Sequence, residues 1–180
     1  MEIQDTHIKG LMIIKPNIFN DNRGYFYESW NKELFKILGN GIDFVQDNQS
    51  LSQKGVLRGL HFQDPPYEQG KLVHVIKGSV IDIALDIRKK SPTYGHHFSV
   101  ILSDKNKKIL WVPPGFAHGF VALESNTIFT YKCTNFYNKA SEGAILWNDS
   151  DLNINWGIQD PIISEKDAKA ERFKNFTTKF

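Results

Sequence analysis

The stretch SVIDIALDIR, residues Ser79–Arg88, decides the fold class. Ile81, Ile83, Leu85 and Ile87 share one parity, and Val80, Asp82, Ala84 and Asp86 share the other. That is the two-residue period of a half-buried strand, with one fully apolar face that should pack on the core. Working outward, β-rich runs of the same kind recur between Gly, Asn, Asp and Pro: Leu11 to Ile14, Tyr25 to Glu28, Phe44 to Asn48, Val56 to Phe62, Leu72 to Lys77, Phe98 to Leu102, Ile109 to Val112, His118 to Leu123, Thr127 to Thr134 and Ala144 to Trp147. No repeat of solenoid period interrupts them. The spacing predicts an all-β protein built as an antiparallel sandwich or barrel. Two short helices should flank it. One follows Asn31 as N-cap, with Leu34, Phe35 and Leu38 at helical spacing and Gly39 to end it; the other begins at Ser164, where Ser164 and Asp167 stand in a capping arrangement.

Composition narrows the class further. The 180 residues are 41% hydrophobic and 13% aromatic, the size and apolar fraction of a single domain spanning residues 1–180. Twenty-two basic and 20 acidic residues leave a net charge of +2 with no run of like charge, so neither nucleic acid nor a membrane is an expected partner. One cysteine, Cys133, excludes an intramolecular disulfide and a cysteine zinc site, and fits a cytoplasmic setting. The opening MEIQDTHIKGLMIIKP has acids and His7 before a short apolar run broken by Lys15 and Pro16, unlike a signal peptide or a membrane span.

Reactive side chains concentrate in Gly55–Gly78, GVLRGLHFQDPPYEQGKLVHVIKG, which holds Arg58, His61, Lys71 and His74. His118 follows the Pro-Pro-Gly turn of WVPPGFAHGF, and Tyr131 and Tyr137 lie on or near a late strand. All could line one barrel mouth. A metal centre is disfavoured: strand ligands need alternate positions, yet His61 is followed two residues later by Gln63, and the adjacent His96 and His97 would point to opposite faces. The remaining set suits proton transfer, with a His as base, a Lys against an oxyanion and a Tyr as acid, and so fits proton abstraction beside a carbonyl.

The runs FNDNRGYFYE, FVQDNQSLSQKGVLRGLHFQDPPYEQGKLVHVIKG, DIRKKSPTYG, WVPPGFAHGF, YKCTNFYNKASEG, LWNDSDLNINW and SEKD, in that order, closely resemble the dTDP-4-dehydrorhamnose 3,5-epimerase family from about residue 10 to 170. The resemblance implies a cupin-like jelly-roll β-barrel and a homodimer that shares N-terminal strands. It implies no cofactor and no metal, and a dTDP-sugar substrate, dTDP-4-dehydro-6-deoxy-D-glucose, inverted at C3 and C5. It makes His61 the base, Asp167 its support, Lys71 the group beside the C4 oxygen and Tyr131 the acid on the opposite face. Nucleotide and sugar contacts would fall to Arg23, Glu28, Gln46, Asp47, Asn48, Arg58, His118, Glu142 and Lys166, with Tyr137 stacking on the thymine. The chain departs from the family at Gly157, where Pro is common after the Trp, and at His96 and His97.

Periodicity and resemblance conflict in two places. Arg58 and His61 are three apart, so a regular strand would send them to opposite faces; a bulge at Gly59 is the expected release. Asp167 is explained in full by helix capping, yet the family match favours support of His61, and one carboxylate does not easily serve both. His74, of opposite parity to Lys71, is read as structural, Cys133 as a buried small side chain, and Trp30, Trp111, Trp147 and Trp156 as core or interface. The alternatives are an epimerase that inverts one carbon, a silent cupin that binds a sugar nucleotide, and a metal-dependent oxygenase.

Overall fold

The computed structural model describes residues 1–39 and 41–180. Among these, the strands are β1 (Glu2–Asp5), β2 (Met12–Lys15), β3 (Phe19–Asp21), β4 (Gly24–Phe26), β5 (Gln46–Ser52), β6 (Leu57–Gln63), β7 (Lys71–Lys77), β8 (Ser79–Asp86), β9 (His97–Ser103), β10 (Ile109–Val112), β11 (Phe116–Ala122), β12 (Thr127–Cys133) and β13 (Glu142–Ala144). Two antiparallel sheets, ordered β1-β2-β10-β7-β12-β5 and β13-β6-β11-β8-β9, face each other as a cupin-like jelly roll; β3 and β4 form a separate hairpin. Each expected run falls on or beside a strand. The N-terminal β1, rich in charge, was not anticipated, and Tyr25 to Glu28 is one arm of the short hairpin.

Three apolar layers result. Val73, Val75, Val80, Ala84, Leu110, Phe120 and Phe129 fill the space between the sheets. Ile83, Leu85 and Ile87 point away from that space, into a second cluster with Leu57, Leu60, Phe62 and Trp156, covered by Ile158, Phe173, Phe176 and Phe180 of the C-terminal segment. A third cluster, on the outer face of the six-stranded sheet, joins Leu72, Ile109 and Trp111 to Phe35 and Leu38. The expectation of a half-buried β8 is therefore corrected. Its apolar face does pack on a core, under the C-terminal segment that folds back over what would be the sheet's solvent side, but the other face is buried too, because it turns toward the facing sheet; Asp82 and Asp86 are both fully buried.

Both helices are shorter than the sequence implied. Asn31 Oδ1 accepts from the backbone N–H of Glu33 at 3.0 Å, but the element that follows is a 3-10 helix, Leu34–Leu38, whose N-cap position falls to Glu33 rather than to Asn31. The second, α1, is a single turn, Glu165–Ala168. It cannot lengthen, because the chain is recruited back to the sheet, where Glu171 bridges Ile145. Among the described residues no helix is long and apolar enough to cross a membrane.

Candidate active site

The site begins with a fault in a sheet. Along β6 and β11, His61 stands opposite His118 but Arg58 stands opposite Phe120, so three residues of β6 span two of β11. Gly59 occupies the fault with φ +131°, where a side chain is strained, and a Cβ there would lie 2.5 Å from the Cα of Gly119 and 2.8 Å from the carbonyl oxygen of His118. Two glycine backbones are thus in contact, and no larger residue fits. The extra residue shifts parity: Leu57, Leu60 and Phe62 all pack in the outer cluster, while Arg58 and His61 both line the cavity between the sheets. The bulge inferred at Gly59 is present.

Asp167 resolves its two readings by using two different groups. Its backbone N–H donates to Ser164 Oγ at 3.1 Å, which is the cap. Its carboxylate is left for the cavity, where Oδ1 lies 2.6 Å from His61 Nε2 and Oδ2 accepts from the backbone N–H of Gly59 at 3.4 Å. Burial raises the Asp167 carboxyl, but the hydrogen bonds and the His61 charge outweigh it and the net direction is down. An ionised carboxylate only accepts, so Nε2 of His61 carries its proton and Nδ1 is the nitrogen left for a ligand.

Lys71 opens β7 and lines the same cavity; its Nζ donates to the His61 carbonyl oxygen at 3.5 Å and lies 6.0 Å from the Tyr131 ring. Burial lowers the ammonium, opposed by the charges of Cys133, Asp82 and Glu142. Tyr131 comes from β12, paired with Asn48 of β5 and Val73 of β7, and burial raises its phenol. His61 and Tyr131 therefore rise from opposite sheets and face one cavity of about 530 Å³. His74, on the other face of β7, has its imidazole pulled down to about 4 by burial and takes no part.

The remaining expected residues divide. Arg58, Asn48, His118 and Lys166 line the main cavity. Gln46, Tyr137 and Glu142 line a smaller one of about 190 Å³ that shares His61, Lys71, Asn48 and Tyr131 with it. There Gln46 Oε1 accepts from the Tyr137 N–H at 2.9 Å, Tyr137 Oη donates to Glu142 at 3.1 Å, and Lys166 pairs with Glu142 at 2.5 Å. Three expected residues are not brought in. Asp47 has the opposite parity from Gln46 and Asn48 and pairs with Lys132 at the surface. Arg23 lies in the β3–β4 hairpin, paired with Asp21 and exposed, and Glu28 accepts from Asn31 outside the cavity.

Two contributors were not foreseen. Asp82, fully buried on β8, holds His118 Nε2 at 2.9 and 3.0 Å. Its signal is an acid on the parity of Val80 and Ala84, the face that a half-buried strand turns to solvent. Gln63 fastens the wall beside Tyr137, donating to the carbonyls of Tyr67 and Phe136 and accepting from the N–H of Asn138.

Comparison with known proteins gives a consistent family. A family model described as dTDP-4-dehydrorhamnose 3,5-epimerase matches residues 5–175. A dTDP-4-dehydrorhamnose 3,5-epimerase of Shigella flexneri is 49% identical over 174 residues, 96% of each chain. The crystal structure of a dTDP-6-deoxy-D-glucose-3,5-epimerase from Legionella pneumophila, in complex with dTDP-4-keto-L-rhamnose, is 48% identical with a TM-score of 0.92, covering 96% of this chain and 93% of that one. A 3'-monoepimerase from Streptomyces bikiniensis, in complex with dTDP-quinovose, is more distant at 28% identity, with a TM-score of 0.88 over 93% of this chain and 85% of that one.

Proposed function

The chain belongs to the dTDP-4-dehydrorhamnose 3,5-epimerase family, and on that basis we propose that it inverts C3 and C5 of dTDP-4-dehydro-6-deoxy-D-glucose by acid/base chemistry that needs no cofactor or metal. The observation that carries the reading is a base and an acid on opposite walls of one cavity, His61 on β6 and Tyr131 on β12. Inversion requires a proton to leave one face of a carbon and another to arrive on the opposite face, which one side chain does not do alone.

The C4 ketone acidifies the hydrogens on C3 and C5. His61, oriented through Nε2 by Asp167, takes a proton on Nδ1, and the C–H electron pair moves into an enolate. Lys71 stabilises the oxygen that gains charge. Tyr131, held protonated at neutral pH by its raised phenol pKa, gives its proton to the other face. His61 then gives its proton to solvent and the Tyr131 phenolate takes one back, and the reset pair repeats the cycle at the second carbon. Arg58 and His118, the latter held by Asp82, contact the sugar, and the Tyr137, Glu142 and Lys166 group receives the nucleotide.

The protein works as a cytoplasmic homodimer of one-domain subunits. The hairpin carrying Arg23 supports this assembly: Phe19, Tyr25 and Phe26 are 63%, 55% and 66% exposed, an apolar patch that a second copy would cover. Arg23 and Glu28 gain a ligand role only through that assembly.

Incubation with the 4-keto sugar nucleotide in D2O tests the reading, and deuterium is expected at both C3 and C5. Incorporation at neither rejects it, and incorporation at one carbon makes the chain a monoepimerase. In the same assay Tyr131→Phe should let exchange outlive inversion. Turnover should survive exhaustive chelation.

A further inference from the structure

We infer that Ser50 is a specificity-determining contact for a hydroxyl of the hexose ring, resting on the sugar-nucleotide reading above. Ser50 lies on β5 with the inward parity of Gln46, Asn48 and Ser52, and it lines the main cavity. Its Oγ is buried and finds no hydrogen-bond partner among the described residues. Two other buried oxygens share that state, but each belongs to a carboxylate outside the main cavity, on Asp64 or Glu68, and Asp64 already pairs with Lys179 through its other oxygen. A buried hydroxyl without a partner costs stability unless something bonds to it, and the residue that carries this one lines the main cavity, where a turn about χ1 would present it to a ligand.

Its surroundings explain why the protein leaves it free. On one side Phe120 and Phe129 stack with centroids 4.1 Å apart and offer no acceptor. On the other, Arg58 is fixed to the same strand by Nε to Ser52 Oγ at 3.2 Å and Nη2 to the Leu51 carbonyl at 3.5 Å, which commits the inner edge of the guanidinium and leaves Nη1 for a ligand. Ser50 and Arg58 thus form a polar corner against an aromatic floor.

Position along the ladder assigns the corner to the sugar. Gln46 stands opposite Cys133, Asn48 opposite Tyr131 and Ser50 opposite Phe129. Ser50 is therefore one inward step beyond Tyr131, away from the Gln46 and Tyr137 end that receives the nucleotide. A ring held between His61, Lys71 and Tyr131 presents its far side to Ser50. With a ketone at C4 and a methyl at C6, the hydroxyls available are those at C2 and C3.

The test is Ser50→Ala. The KM for the 4-keto substrate should rise about tenfold, the worth of one good hydrogen bond, while binding of dTDP alone stays within about twofold. The thermal midpoint of the ligand-free protein should hold or rise, because an unpartnered buried hydroxyl has been removed. The penalty should vanish with the substrate analogue lacking the hydroxyl concerned, at C2 or at C3. An unchanged KM overturns the proposal, and so does a loss shared equally by dTDP or a lowered thermal midpoint, which would make Ser50 structural. If the wild-type protein fails to exchange deuterium, the epimerase reading fails instead. Calorimetry with dTDP-6-deoxy-D-glucose against dTDP then still reads Ser50: a tenfold loss confined to the sugar compound upholds it, and equal affinities overturn it.

Discussion

β8 and β6 flank the same strand and differ in one respect. β8 pairs with β11 through seven consecutive positions, from Asp86 opposite Phe116 to Val80 opposite Ala122, without a break. β6 pairs with the other edge of β11 and breaks at Gly59. The unbroken ladder yields a wall whose side chains alternate strictly, the Ile and Leu outward and Asp82 inward to His118. The broken one places Arg58 and His61, three residues apart, on a single face. A regular sheet would have lost one of them from the site, so the irregularity is what makes the chemistry possible.

The largest expected effect sets a residue of the broken strand against one of the regular strand. His61→Ala should lower turnover at least about 10³-fold and stop deuterium exchange at both carbons. Ile83→Val on β8 should cost about 1 kcal/mol of stability and leave turnover unchanged. Asp167→Asn should fall between, slowing exchange through poorer orientation of His61 with a smaller change in thermal midpoint. If Ile83→Val and His61→Ala impaired turnover alike, the division of labour between the two walls would be wrong.

Gly59→Ala comes next, at about 3 kcal/mol of lost stability, since it adds a clash to an unfavourable backbone angle. Gly24 is the control. Its φ is +132° against +131° at Gly59, but a Cβ there meets nothing within 4 Å. Gly24→Ala should cost only the backbone term, about 1–2 kcal/mol at most. Equal losses by denaturant unfolding would mean that contact with Gly119 does not enforce the fault.

The regular strand carries its own acid dependence at its end. Burial pushes the Asp86 carboxyl up, but hydrogen bonds from Arg88, Ser91 and Thr93 bring it down to about 2. A depressed carboxyl contributes stability that is present above its unfolded value near 3.8 and is lost as the pH falls through 2. The contribution is about 2 kcal/mol. Asp86→Asn should remove it at pH 7 and flatten the decline in urea stability between pH 4 and pH 2; an unchanged decline would place the acid sensitivity elsewhere.

How much was legible in the sequence follows the same division. β8 could be read from period alone, because alternation is a property of a regular strand. What could not be read was that both faces are buried, one beneath Phe173, Phe176 and Phe180 folding back from far along the chain and the other against the facing sheet. The bulge was legible as a contradiction, a motif needing one face on a strand offering two, with a glycine at the point of conflict. Asp82 escaped because its partner His118 is 36 residues away, and no local pattern links them. Arg23, Glu28 and Asp47 came from the family resemblance alone. In the single chain the hairpin holds Arg23 away from the cavity, the Asn31 hydrogen bond holds Glu28 outside it, and strand parity turns Asp47 outward.

The smallest effect separates cap from catalysis within the short segment that leans on the broken strand. Ser164 Oγ accepts the backbone N–H of Asp167, so Ser164→Ala removes a cap worth about 1 kcal/mol, or roughly 2–4 °C in thermal midpoint for a chain of this size. The Asp167 carboxylate does not depend on that bond. It is held mainly by His61 and by the Gly59 N–H, which the bulge turns toward it, with the Ser164 hydroxyl the smallest contributor. Turnover of Ser164→Ala should therefore stay within about twofold of wild type. Asp167→Asn keeps the backbone donor and hence the cap, while its amide is a poorer acceptor for the His61 proton and carries no charge to favour the imidazolium. The two variants should diverge, one mainly in melting temperature and the other mainly in exchange rate. If Ser164→Ala slowed exchange as severely as Asp167→Asn, the one-turn helix itself would be positioning the base, and the bulge would no longer be sufficient to explain how His61 is held.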